Sequence, residues 1–259
     1  MLRKYYKSSL FILLPAWVVI SFAVAQLLTL GLFKLLVFFK VVVGQLNETI
    51  LQSLITVLVY LLTIIIAVAI PWLLKKKRTS LSDLGINKLP TWTDIILTPA
   101  GFVVYLILSA SSIYFLSTFL PWFDNEKVQQ IGFSNLNQRY EYLLAFAVLV
   151  VLAPIAEELL FRGYLFRKLL KIVPSWLAIL STSLLFALLH IDWSLSFQDF
   201  NLGIIFCSLV VDTFCLSIIL CWLVKMTNNI WPAILLHMLK NSLAFYILFI
   251  NPLLLGRMG

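Results

Sequence analysis

The two histidines of this chain both lie at apolar segments, and a third apolar segment carries two adjacent carboxylates. His190 ends one segment, His237 lies in another, and Glu157 and Glu158 lie in the third. Imidazoles and carboxylates at one depth can activate water, bind a metal ion or relay protons. In hydrocarbon each such group costs about 2.5–3.5 kcal/mol on insertion scales, so its presence there indicates a function.

The composition indicates a membrane protein. The chain has 259 residues, of which 62% are hydrophobic and 12% charged, and its mean hydropathy is +1.04. A spanning helix needs about 20 mostly apolar residues, and the sequence has such stretches at 9–33, 50–74, 94–120, 142–161, 202–224 and 231–250, with a shorter one at 175–190. The alternation typical of membrane barrels is missing from the sequence. The predicted fold class is therefore all-α, a polytopic transmembrane bundle of about seven to eight helices.

The charge pattern predicts the orientation in the membrane. The net charge is +8, and basic residues precede the first span and follow the spans at 50–74, 142–161 and 202–224, whereas acidic residues occupy alternate loops. By the positive-inside rule, the amino terminus and the basic loops are cytoplasmic. We expect a multi-pass protein of the bacterial plasma membrane whose Arg167, Lys168 and Lys171 attract anionic lipid head groups, with no nucleic-acid partner. The apolar run continues to Phe33, which favours an uncleaved first span over a signal peptide.

Spacing around the carboxylates predicts how their side chains diverge. Glu158 and Arg162 are four residues apart, with the acid first, so they can pair on one helix face. Glu157 is about 100° further round the helix and free to point elsewhere. Pro154 removes a backbone donor, and we expect it to kink the helix near Val150 and open polar backbone beside the acids.

Counting along the chain predicts that Glu157 meets His190. Pro174 separates two helices, and the acid lies 17 residues before it while the histidine lies 16 after it. An antiparallel hairpin turning there places both side chains at one height, roughly 24 Å from the turn. Because the stretch 162–171 is strongly basic, we expect much of this hairpin to project into the cytoplasm.

The last helix presents a second polar stripe. His237 and Asn241 are four residues apart and share one face, about 8 Å from the helix start. Lys240 beside them is expected to extend to the interface, as long basic side chains do. Asp212, in the preceding span, is interpreted as a buried polar partner rather than a catalytic group.

Two chemistries fit these residues. In the first, Glu157 and His190 hold and deprotonate a water while His237 and Asn241 stabilise an oxyanion. In the second, Glu157, His190 and His237 supply the two-histidine, one-glutamate ligand set of a catalytic zinc site. Both predict hydrolysis of a peptide or amide bond.

Three motifs in this order resemble the CPBP family, which comprises type II CAAX prenyl endopeptidases and bacteriocin-processing enzymes, also called Abi proteins. They are Glu157-Glu158-x-x-x-Arg162, Phe186-x-x-x-His190 and His237-x-x-x-Asn241, and the similarity covers residues 142–249. The resemblance implies an intramembrane endopeptidase in which Glu157 and His190 activate water. It further implies that His237 and Asn241 form the oxyanion hole and that Glu158 with Arg162 shapes the site.

The resemblance also divides the chain and suggests substrates. We expect amino-terminal helices at 1–141, a catalytic membrane core at 142–250 and a short tail at 251–259. Substrates implied are prenylated carboxyl termini and bacteriocin or pheromone precursors. Bacteriocin self-immunity is an alternative within the family, and an ion-coupled transporter is an alternative outside it. Transporters usually contain paired repeats with broken helices, and the sequence has no internal repeat.

Overall fold

The structure is a bundle of long helices. The computed structural model describes residues 2–38, 46–75, 79–120, 133, 136–191 and 208–251. Within these ranges the chain forms seven helices and no strand: α1 (Leu2–Phe38), α2 (Glu48–Lys75), α3 (Trp92–Phe119), α4 (Arg139–Leu169), α5 (Ser175–Leu189), α6 (Ser208–Thr227) and α7 (Trp231–Ile250). Five of them, α1 to α4 and α7, are long and apolar enough to span a membrane. The predicted all-α membrane bundle is confirmed.

Several predicted features lie outside the described residues. They include the basic run at 76–78, the acidic loop at 121–132, and the segment 192–207 that follows His190. The predicted span at 202–224 is therefore described only from Ser208 onward, and the predicted tail only at residue 251.

α4 lies at the centre of the bundle. It packs against α1, α2, α5, α6 and α7, and half of its most apolar stretch is buried, compared with 17% of that of α1. Gly163 allows this close packing at its carboxyl-terminal end. A Cβ atom at Gly163 would lie 2.9 Å from the Leu84 carbonyl oxygen, a separation that side chains essentially do not tolerate.

Pro154 changes the helical register of α4. Residues 147–152 have π-helical hydrogen bonds, and the Ala153 amide donates to the Val148 carbonyl, five residues back. In the same register residue 154 would donate to the Leu149 carbonyl, but proline has no N–H. The Leu149 carbonyl is thereby left without a helical donor. This π-helical segment agrees with the predicted opening of polar backbone beside the acids, and the predicted kink near Val150 stays a prediction.

The loops that follow α2, α4 and α6 meet at one end of the bundle, called here the basic end. The Arg167 guanidinium donates to the Asp83 carbonyl at 3.1 Å and to the Asn228 side chain at 2.9 Å. At the same end, Lys225 Nζ donates to Ser175 Oγ at 2.9 Å. The charge pattern placed these loops on one side, as observed, and their cytoplasmic orientation stays a prediction.

Candidate active site

Three helices bring Glu157 and both histidines together. Glu157 Oε2 lies 3.7 Å from His190 Nε2 and 3.8 Å from His237 Nε2. The carboxylate is on α4, His190 caps the carboxyl end of α5, and His237 is one and a half turns into α7. Both separations exceed a direct hydrogen bond, and at such distances a bridging water is the usual link.

The outer partners of the two imidazoles fix which nitrogen faces Glu157. His190 Nδ1 lies 2.7 Å from the Phe186 carbonyl oxygen, and His237 Nδ1 lies 2.8 Å from Glu158 Oε1. Carbonyl and carboxylate oxygens accept hydrogen bonds, so each Nδ1 is assigned the hydrogen. In a neutral ring Nε2 then carries a lone pair, and both lone pairs point toward an acceptor oxygen. In the neutral form each Nε2 can accept a hydrogen bond from a water or substrate, and in the doubly protonated form it can donate one.

Glu158 and Arg162 form the predicted ion pair, but it is fully enclosed. Arg162 Nη1 donates to Glu158 Oε1 at 2.8 Å, and both side chains are 0% exposed. Arg162 Nη2 donates to Ser217 Oγ at 2.7 Å, and the guanidinium lies 4.4 Å from the Phe186 ring centroid. The Arg162 charge is therefore compensated inside the bundle. The expected projection of the basic stretch 162–171 into the cytoplasm stays a prediction.

Asn241 contacts the backbone that Pro154 exposes. Its Nδ2 donates to the Leu149 carbonyl oxygen at 2.9 Å, which satisfies the acceptor left open in the π-helical segment. An amide nitrogen has two N–H groups, so this bond orients the side chain and leaves one donor for a ligand. Asn241 and His237 border the same cavity.

The cavity also contains residues that the sequence analysis did not identify. Its volume is about 250 Å³. The Tyr60 hydroxyl, from α2, donates a short hydrogen bond to Glu157 Oε1. No sequence spacing links positions 60 and 157, because only the packing of α2 on α4 brings them together. The remaining lining residues are mostly small or apolar: Thr56, Leu149, Ala153, Thr213, Leu216, Ala244, Phe245 and Phe249.

Lys240 lies in the cavity wall, so the expectation that it extends to the interface is wrong. Its side chain is 19% exposed, and its ammonium is 3.5 Å from Asp212 Oδ2. Asp212 Oδ1 accepts hydrogen bonds from the Tyr105 hydroxyl and, at 3.0 Å, from Ser109 Oγ. The interpretation of Asp212 as a polar partner agrees with these contacts. Lys240 stays inside because an anion on the neighbouring helix compensates its charge.

The metal alternative finds no support in the side-chain arrangement. Within the part of the chain that the structure describes, no group of three or more His, Cys, Asp or Glu side chains is placed to hold a metal ion. Glu157, His190 and His237 are near one another, with Glu157 Oε1 engaged by Tyr60 and Oε2 facing the two imidazoles.

Comparison with known proteins identifies a family for the segment that carries this site. Residues 139–243 match the family described as type II CAAX prenyl endopeptidase Rce1-like. No curated protein and no solved structure gives a match to the chain. The matched segment includes the carboxylates of α4, His190 and the polar stripe of α7. The segment that carries the candidate site, residues 139–243, is therefore similar to the Rce1-like family of type II CAAX prenyl endopeptidases.

Proposed function

We propose that this protein is an intramembrane endopeptidase that hydrolyses peptide bonds of membrane-associated or lipidated substrates. The observation that carries the proposal is the convergence of Glu157 Oε2 with the Nε2 atoms of His190 and His237 in one cavity. The family match supports the same class of reaction. Helices α2, α4 and α7, which line the cavity, are long and apolar enough to span a membrane, and this supports a reaction at bilayer depth.

In the proposed mechanism, Glu157 and His190 bind one water, and Glu157 accepts a proton as the water oxygen attacks the scissile carbonyl. Apolar walls around the carboxylate replace bulk water, which strengthens its interaction with the attacking water. The Tyr60 hydrogen bond holds the other carboxylate oxygen, so Oε2 is presented to the cavity. Glu157 can then return the proton to the leaving amine, which balances the reaction.

His237 and Asn241 are proposed to bind the developing oxyanion. The Asn241 side-chain amide has a second N–H that its hydrogen bond to the Leu149 carbonyl does not use. This second N–H can donate to the oxyanion. An imidazole that keeps its Nδ1 hydrogen on Glu158 can donate from Nε2 only when it is doubly protonated. In that form Glu158 offsets the charge of His237, and Arg162 holds Glu158 in place. The buried ion pair of Glu158 and Arg162 thus orients and stabilises His237 as one donor to the oxyanion.

The proposed substrate approaches from the basic end or sideways from the inner leaflet. A prenylated carboxyl terminus or a pheromone or bacteriocin precursor inserted in the membrane would fit this approach. We propose residues 142–250 as the catalytic core. The first 141 residues also contribute to the site, because Tyr60 of α2 contacts Glu157 and Tyr105 of α3 contacts Asp212.

The test is cleavage by purified protein in proteoliposomes, compared between wild type and Glu157→Ala. Quenched-fluorescence peptides carrying a lipid anchor serve as substrates, and ion and proton flux are recorded in the same vesicles. The proposal expects cleavage by wild type that Glu157→Ala abolishes, with no coupled flux. Flux that survives Glu157→Ala in a protein that never cleaves peptide would instead establish a transporter. Glu48→Gln, at an exposed position in the first turn of α2, is the control for removing one acid.

A further inference from the structure

A second cavity, called here the basic-end groove, lies between α1, α2 and α4. Its volume is about 450 Å³, within the range of about 300–1,000 Å³ that is usual for ligand pockets. Within the described ranges it has no lining residue in common with the candidate active site. Along α4 it begins at Gly163, about 9 Å beyond Glu157. The bundle therefore has room for a ligand outside the active site.

The walls of the groove between α1 and α2 are apolar. They are formed by Leu10, Leu13, Leu14 and Trp17 of α1 and by Ile70 and Pro71 of α2. The indole N–H of Trp17 donates to the Ala67 carbonyl at 3.1 Å, so its polar atom is satisfied. From Leu10 to Trp17 the lining extends about 10 Å along α1, and half of a bilayer's hydrocarbon core is about 15 Å thick. This length suits a hydrocarbon chain from one leaflet.

One side of the groove opens onto the outer surface of the bundle. Leu13, in its wall, is 59% exposed, and it belongs to a helix long and apolar enough to span a membrane. A water molecule needs polar partners, which an apolar cavity does not offer. The occupant that the walls favour is therefore a hydrocarbon chain that enters sideways from the bilayer.

The mouth of the groove, at the basic end, carries an excess of positive charge. Its charged residues are three cations, Arg167, Lys168 and Lys171, and one carboxylate, Asp83. Lys171 Nζ is 3.8 Å from Asp83 Oδ1, and both side chains are exposed. An exposed ion pair at this distance contributes little, so an anionic ligand can replace it at small cost.

Neutral groups hold Lys168 and Arg167 beside the mouth. Lys168 Nζ lies 3.5 Å from the centroid of the Tyr164 ring, and a cation–π contact positions an ammonium without neutralising its charge. Arg167 donates to the Asn228 side chain and to loop carbonyls, whose oxygens carry no formal charge. A phosphate complements such a mouth, because it is anionic and accepts several hydrogen bonds at once.

We propose that the basic-end groove binds one anionic phospholipid, with an acyl chain between α1 and α2 and the phosphate at Lys168 and Lys171. The charge pattern alone predicts only a general attraction of anionic lipid to this end, whereas the groove adds an enclosed place for a chain. The bound lipid bridges α1 and the carboxyl-terminal end of α4. The inference is independent of the proposed function, because the groove and the active site have separate walls.

The experiment titrates lipid onto the purified full chain in detergent and counts bound molecules by native mass spectrometry. Phosphatidylglycerol is compared with phosphatidylcholine of the same acyl chains, and inorganic phosphate is added as a competitor. Each basic residue near a membrane surface raises the affinity for anionic lipid about fivefold. With two lysines at the phosphate, we expect one phosphatidylglycerol per chain to bind about 25-fold more tightly than phosphatidylcholine.

Two lysine double variants separate a site from general electrostatic attraction. Lys168→Gln/Lys171→Gln should lower the affinity for phosphatidylglycerol about 25-fold. The matched control Lys88→Gln/Lys225→Gln removes two exposed lysines from the same end, outside the groove, and should retain the affinity. Equal losses in the two double variants would overturn the inference.

A single change guards against misfolding of the double variant. Lys171→Gln, at an exposed position, should weaken phosphatidylglycerol binding about fivefold. Unchanged affinity in this variant would contradict the inference. The unfolding temperature of wild type should also rise with phosphatidylglycerol, as for any ligand that binds the folded state, and rise less for Lys168→Gln/Lys171→Gln.

An obstructed groove tests the place of the acyl chain. Leu13→Trp should weaken phosphatidylglycerol binding about tenfold, the value of about two buried methylene groups. Leu27→Trp, at an exposed position further along α1, is the control and should have no effect. Binding that is insensitive to Leu13→Trp and is displaced by inorganic phosphate would reduce the groove to an anion site and overturn the inference. Displacement of phosphatidylglycerol by a prenylated peptide would assign the groove to a substrate chain and also overturn it.

Discussion

Replacing Arg162 by methionine should destabilise the fold by about 3–5 kcal/mol, because it leaves a buried carboxylate without its cation. Arg162 and Glu158 are both 0% exposed, so no water replaces the lost partner. The variant also loses the hydrogen bond to Ser217, worth about 1 kcal/mol, and the contact with the Phe186 ring, worth about 0.5–2 kcal/mol. These contacts put the expected cost in the upper part of the range. After the change, Glu158 keeps its hydrogen-bond contact with His237 within the part of the chain that the structure describes.

The assay is equilibrium unfolding in mixed detergent micelles, followed by circular dichroism and reported as the free energy of unfolding. Arg139→Met, at an exposed position at the start of α4, is the matched control and should change stability by no more than about 0.5 kcal/mol. Arg162→Lys should recover only part of the loss, since an ammonium cannot reproduce the fork that reaches Glu158 and Ser217 together.

The double variant Glu158→Gln/Arg162→Met tests the electrostatic origin of the effect. With both charges removed it should regain about 2–3 kcal/mol relative to Arg162→Met alone. A loss below about 1 kcal/mol in Arg162→Met, or a double variant less stable than the single one, would refute the reasoning.

Three further results are expected. Tyr60→Phe removes one hydrogen bond that orients Glu157 and should lower kcat about tenfold, as measured by steady-state cleavage, with a loss of stability of about 1 kcal/mol. Asn241→Ala should lower kcat about 100- to 1,000-fold because an oxyanion donor is lost, and an unchanged kcat would remove Asn241 from the site. In a variant without the native cysteines, a cysteine at Lys168 should resist labelling from outside intact cells while one at Asp124 reacts, and the reverse would invert the orientation.

The metal question has its own measurement. Activity should survive chelator treatment, and metal analysis of purified protein should find zinc well below one equivalent per chain, because no ligand group within the described residues is placed to hold it. One equivalent of zinc together with chelator-sensitive activity would contradict this expectation. Such a result would indicate that Glu157, His190 and His237 are zinc ligands.

The features that could be predicted from sequence depend on spacing within one helix or across one turn. The 3.6-residue period places Glu158 beside Arg162, and the near-equal counts on either side of Pro174 place Glu157 beside His190. The effect of Pro154 follows from its missing N–H. Each of these three predicted arrangements depends on covalent geometry or on one short connection between helices. Predicting them therefore requires no knowledge of how the remaining helices pack.

The features that could not be predicted join helices far apart in sequence. Tyr60 reaches Glu157 across 97 positions, and the partner of Lys240 lies on a different helix. Sequence reasoning placed Lys240 at the interface, and it did not identify Ser217 as a partner of Arg162, because a charge in an apolar segment is costly when it is alone. The packing of α6 on the neighbouring helices supplies Asp212 and Ser217, which removes that cost.

The central claim is that Glu157 is the base that activates water, and the rate of peptide cleavage by Glu157→Gln tests it most directly. The substitution keeps the size of the side chain and its acceptor for Tyr60 while removing the carboxylate. Cleavage is measured in proteoliposomes beside wild type and the exposed control Glu48→Gln, with the unfolding free energy recorded for each. The account predicts a fall in kcat of about a hundredfold or more for Glu157→Gln and none for Glu48→Gln. Cleavage by Glu157→Gln at the wild-type rate would contradict it.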